Sequence, residues 1–110
     1  MHISDEGILT QLGYPNDHAN INQLQNVKSS TPGFETIKRH ILALADHIKP
    51  YGGYIAFSNS KPHFKIKIDR SNPSTIPLAV EEILKWAQKY NVKLMEVKKE
   101  ETYYILGITK

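Results

Sequence analysis

Apolar positions recur at helical spacing in two long stretches of the chain and alternate with polar ones in the stretches between. Ile37, Ile41, Leu44 and Ile48 fall at intervals of three and four, with Ala45 beside them. That spacing puts them on one face and predicts a helix. Thr31 is placed to cap it, Pro32 is tolerated in its first turn, and Pro50 followed by Gly52-Gly53 ends it and turns the chain. Val80, Ile83, Leu84 and Ala87 repeat the pattern, widened by Ala79, Trp86 and Tyr90, with Pro77 in the first turn. Both helices carry four-apart pairs on their outer faces, Glu35 with Arg39 and Glu81 with Lys85.

A period of two marks the strands. Phe64, Ile66 and Ile68 alternate with His63, Lys65 and Lys67. Tyr54 to Ser58 forms the preceding strand, joined by a loop through Asn59, Ser60, Lys61 and Pro62. Lys93 to Lys99 and Thr102 to Thr109 form a second hairpin, turning at Glu100-Glu101. The last strand is expected to send Tyr104, Leu106 and Ile108 inward and Tyr103 and Ile105 outward.

Helix, strand, strand therefore occurs twice. Ile41, Leu42 and Ala45 match Ile83, Leu84 and Ala87 at an offset of 42, and Phe64, Ile66 and Ile68 match Tyr104, Leu106 and Ile108 at an offset of 40. Such an echo marks a repeat, or simply two amphipathic helices each followed by a hairpin. Either way the order αββαββ predicts an α+β, two-layer sandwich: a four-stranded antiparallel sheet with both long helices on one face. This is the ferredoxin-like order with its first strand moved to the end, a comparison that rests on element order alone. It places the last strand centrally, beside residues 63–69.

Residues 1–32 differ in kind. They are rich in Asn and Gln, and Lys28 is their single basic residue. Ser4 can cap a short helix over 4–12, with Ile8, Leu9 and Leu12 on one face and Gly13 as its stop. A second short helix over 18–27 would present Ile21, Leu24 and Val27, and residues 28–33 read as a linker. The division is then an N-terminal appendage, 1–32, and an αββαββ domain, 33–110. A chain starting at Ser29 is expected to unfold cooperatively.

Composition narrows the function classes. At 110 residues, 40% apolar and 23% charged, the chain is ordinary for one globular domain. It has no cysteine, which excludes disulfides, thiolate metal sites and a cysteine nucleophile and fits a cytoplasmic protein. No apolar run approaches membrane-spanning length, and the first residues do not read as a signal peptide. The net charge of +3 is uneven. Residues 1–27 carry Asp5, Glu6 and Asp17 and no cation. Residues 28–110 carry all 14 basic residues against the other 8 acids.

Candidate chemistry is sparse. His40 and His47 are seven apart, about 10.5 Å of helical rise, too far to share a metal without a bridging ligand. Gly52-Gly53 follows a helix and precedes a strand, the reverse of a phosphate-cradling loop. Ser58, Ser60, His63 and Asp69 supply the residue types of a nucleophilic set, but such a set is decided by geometry. No catalytic, cofactor or metal motif emerges. The pattern favours a non-enzymatic binding or regulatory module with an open sheet face. Lys65, Lys67 and His63, with Lys61, Arg70, Lys98 and Lys99 at the rims and Tyr103 on the same face, would offer cations for phosphates and an aromatic ring for bases. Nucleic acid is the first candidate partner. A protein partner or a second copy of the chain on the same face is the alternative, and an unrecognised small enzyme the lesser one.

Overall fold

A computed structural model describes residues 4–58, 61–99 and 101–108. The main elements run α1 (Asp5–Leu12), α2 (His18–Ser30), α3 (Phe34–Ile48), β1 (Gly53–Phe57), β2 (Phe64–Ile68), α4 (Ile76–Tyr90), β3 (Val92–Lys98) and β4 (Thr102–Ile108). Short 3-10 turns precede β1 and α4. The sheet is antiparallel throughout, in the order β1-β2-β4-β3. It has the expected two-layer α+β form, with the last strand central and next to β2.

Local chemistry sets the helix ends. Ser4 caps α1, its hydroxyl accepting from Gly7 N at 3.1 Å, and Gly13 closes it in the left-handed region. Asp17 caps α2 through Asn20 N at 2.8 Å. That helix runs to Ser30, three residues into the expected linker. Thr31 does not cap α3. Gly33, at φ 74°, is the capping residue, and the Thr31 hydroxyl is buried.

The stripe on α3 is as read: Ile37, Ile41, Leu44 and Ile48 are all buried. The stripe on α4 is rotated. Its buried residues are Ile76, Ala79, Ile83 and Trp86, and Leu84 is 51% exposed. The shift follows from Trp86, whose Nε1 donates to the His40 carbonyl at 2.9 Å. That contact turns the tryptophan, rather than Leu84 and Ala87, towards α3.

The N-terminal helices bury Ile8, Leu9, Leu24 and Val27 in the same apolar cluster as α3, α4 and the sheet. Tyr14 also packs against Phe57, with ring centres 4.8 Å apart and planes tilted by 43°, and its hydroxyl accepts from Phe57 N at 3.1 Å. Gln23 Nε2 donates to the Ser58 carbonyl at 3.4 Å. Tyr14 and Gln23 thus shield part of the free edge of β1, which would otherwise present unpaired backbone groups.

The last strand departs from simple alternation. Leu94 pairs with Ile105 and Lys93 with Gly107, so Leu106 is an extra, unopposed residue. A bulge of this kind shifts the phase by one. Ile108 still packs towards the helices, but upstream of the bulge Tyr103 and Ile105 point inward and Tyr104 points outward. The register confirms it: Ile66 is paired with Tyr103 and Lys65 with Tyr104. Gly107 makes the bulge possible. Its φ is 127°, and a Cβ there would sit 2.7 Å from the Pro32 carbonyl oxygen.

Candidate nucleic-acid interface

The helices pack on one face of the sheet, and among the described residues no helix covers the other. Two cross-strand rows organise this outer face. One runs Tyr54, Lys67, Thr102, Lys98; the other runs Ala56, Lys65, Tyr104, Met95. Tyr54 and Met95 are 49% and 41% exposed, so large apolar groups reach solvent at both ends of a lysine-bearing surface.

Six of the eight residues proposed from sequence lie on this face or at its rim. Lys65 and Lys67 project from β2, where alternation forces them away from the core. Lys98 closes the row at the end of β3. Arg70 is exposed just beyond β2, and Lys61 is exposed in the turn before it. His63, immediately before β2, is half-buried. Burial, and then the neighbouring Lys61 ammonium, push its pKa below the ordinary imidazole value. It is therefore held towards its neutral form. The sign for stability is that an imidazole disfavouring its proton when folded stabilises the fold above about pH 6.5 and loses that contribution as pH falls below it.

The other two are placed elsewhere. Tyr103, expected on the outer face, is a correction: it is 4% exposed and faces α4 because of the Leu106 bulge. Lys99 lines a groove between α4 and β3 with Leu84, Leu94 and Tyr103, around the edge from Lys65 and Lys67. In place of Tyr103, Tyr104 lies on the outer face, but buried. It is 7% exposed, and its hydroxyl accepts from Ser58 Oγ at 3.2 Å. The ring free to meet a ligand is Tyr54. The bulge signal was available in the sequence as a glycine inside an apolar strand, Gly107.

Where the first row reaches the end of the sheet there is an open hollow of about 540 Å³, lined by Lys49, Tyr54, Lys67, Asp69, Arg70 and Glu101, among others. Three cations and one exposed ring meet there. Two acids oppose them. Asp69 Oδ1 accepts from Ser71 N at 2.9 Å and so serves the following turn. The Glu101 carboxylate instead spans two lysines, with Lys67 Nζ at 3.6 Å and Lys98 Nζ at 3.3 Å. Lys65 has no ion pair among the described residues.

Comparison of the chain with protein-family models, with curated proteins and with solved structures finds no match. What the protein does has to be argued from its own geometry.

The other sequence candidates do not assemble. Ser58 and Asp69 lie at opposite ends of the β1–β2 hairpin from one another, and His63 and Asp69 are separated by the whole of β2, roughly 20 Å at 3.3 Å per residue. Ser60 lies outside the described residues. His40 stacks on Tyr90 with ring centres 3.7 Å apart, and His47 lies 3.8 Å from Glu82. No group of three metal-binding side chains occurs among the described residues. No described helix is long and apolar enough to cross a membrane.

Proposed function

We propose that the protein is a small binding module that holds single-stranded nucleic acid, without strong sequence preference, on its outer sheet face. The observation that carries this reading is the direct cross-strand pairing of exposed Tyr54 with Lys67, one row from Lys65, on a face that no described helix covers. A base stacks on an aromatic ring regardless of its identity, and flanking ammonium groups take the phosphates on either side. Lys49 and Arg70 extend the path around the hollow, and Lys61 extends it along the other end of β2. The cysteine-free composition suits a cytoplasmic setting for such a module.

Fluorescence anisotropy with a labelled mixed-sequence 20-mer, at about 50 and about 200 mM salt, tests it. Each phosphate contact adds about 0.7 to the log–log salt slope on single strands. Replacing Lys65 and Lys67 together by Ala should lower the slope by about 1.4 and weaken all sequences alike. Tyr54→Ala should cost about 1–3 kcal/mol of binding through lost stacking, whereas Tyr104→Ala, a residue already buried, should cost less. Binding that ignores salt and both lysine replacements would refute the proposal.

One observation favours a second reading, association with another copy of the chain. β3 is an edge strand whose residues Met95 to Lys98 are all exposed, with Val97 at 50%. Against it stand a bulge at Val97 and lysines at 93, 98 and 99, the usual devices that keep an edge from pairing. The same salt series separates the readings. Apolar self-association, followed by sedimentation, survives high salt, while phosphate binding weakens.

A further inference from the structure

We infer that Glu101 is a built-in brake on the outer face, holding Lys67 and Lys98 until a polyphosphate strand displaces it. The inference rests on the nucleic-acid reading above and goes beyond it, because it concerns how strongly the face is allowed to bind.

The geometry is specific. Each carboxylate oxygen serves a different cation, Oε1 towards Lys67 Nζ at 3.6 Å and Oε2 towards Lys98 Nζ at 3.3 Å. The glutamate side chain is only 12% exposed, while the two lysines are 31% and 69% exposed. The acid is therefore the fixed partner and the lysines the movable ones. Its backbone is also held at both polar groups. Glu101 N donates to the Lys98 carbonyl at 2.9 Å, and the Glu101 carbonyl accepts from Ile68 N at 2.9 Å. The hairpin turn and the β2–β4 ladder thus aim the carboxylate.

A carboxylate and a phosphate compete for the same ammonium groups. A ligand with one weak anionic group gains little by replacing Glu101. A strand with regularly spaced phosphates, anchored at Lys65 and on Tyr54, brings a second anion to Lys67 at no further cost in translational freedom. The brake then sets a threshold. Isolated anions are rejected, and strands long enough to reach Lys65, Lys67 and Lys98 together are accepted.

Glu101→Gln tests this. It removes one negative charge and leaves the shape of the side chain almost unchanged. The expected result is a salt slope steeper by about 0.7 and binding of the mixed-sequence 20-mer about fivefold tighter at about 0.1 M salt, the size of one added phosphate contact. Glu81→Gln, an equal charge change on the outer side of α4, where Glu81 meets Lys85 and no proposed binding residue, should alter neither quantity. Glu101→Asp keeps the charge but draws the carboxylate back by one methylene. It should move binding in the same direction by less, and it provides a second test should the glutamine variant melt early. If the parent protein binds and Glu101→Gln leaves affinity and slope unchanged, or if Glu81→Gln tightens binding equally, the brake is overturned. If neither the parent protein nor Glu101→Gln binds above the nonspecific level of about 10⁻⁴–10⁻⁶ M, the nucleic-acid reading itself fails and the brake with it.

Discussion

A chain lacking residues 1–28 should lose its cooperative unfolding transition. Ile8, Leu9, Leu24 and Val27 are each at most 2% exposed and belong to one cluster with α3, α4 and the sheet. Burying side chains of this size contributes about 1.5–3 kcal/mol each, so four of them account for about 6–12 kcal/mol. That matches the whole net stability of a small domain, about 5–15 kcal/mol. The truncation also uncovers the side of α3 that meets α1 and strips Tyr14 from Phe57. The expected product keeps much of its far-ultraviolet circular dichroism, loses the near-ultraviolet signal and binds a hydrophobic dye, as compact states without fixed packing do. Urea titration followed by both signals is the measurement. A sharp, coincident transition in the shortened chain would mean that residues 33–110 hold their core alone, as the amide-rich composition of the first 32 residues implies.

The second large effect separates the two sides of α4. Ile83→Ala and Leu44→Ala should each cost about 2–5 kcal/mol, the range for removing large buried side chains from a packed core. Ile83 is fully buried, and Leu44 is 1% exposed. Leu84→Ala, on the adjacent position but 51% exposed, should fall within about 0.5 kcal/mol of the parent. Midpoints in urea, with the slope of the transition unchanged, give these values directly. Equal losses at Ile83 and Leu84 would mean that α4 is turned as its sequence pattern alone had implied, and that the Trp86–His40 contact does not orient it.

Much of the architecture was legible because it rests on local rules. Helical spacing defines α3 and α4, and Pro50 with Gly52 ends the first of them. The alternation of Phe64, Ile66 and Ile68 with lysines defines β2 and which way its side chains point, since every apolar residue in that stretch has the same parity. Element order then restricts the sheet, and β4 does lie beside β2. Ser4 and Gly13 mark α1 correctly because capping depends only on nearby backbone groups.

The errors share a cause in contacts between residues distant in sequence. Nearly every residue of β4 is apolar or aromatic, so parity alone could not say which side faced the helices. The choice fell to a bulge at Leu106, fixed by the approach of Pro32 to Gly107 across the fold. That single extra residue exchanges Tyr103 and Tyr104, which takes Tyr103 off the outer face and leaves Tyr54 as its exposed ring. The rotation of α4 depends on Trp86 finding the His40 carbonyl on another helix, 46 positions away. Glu101 looked like one of two turn glutamates until the hairpin brought Lys98 and β2 brought Lys67 to its carboxylate. Sequence by itself determined which segments are helix or strand and that the body is basic, because those properties are local or additive. Tertiary structure alone decided which face each described residue of β4 occupies, which lysines lack an acid among the described residues and which tyrosine is exposed, because pairings across the sheet and between layers set all three.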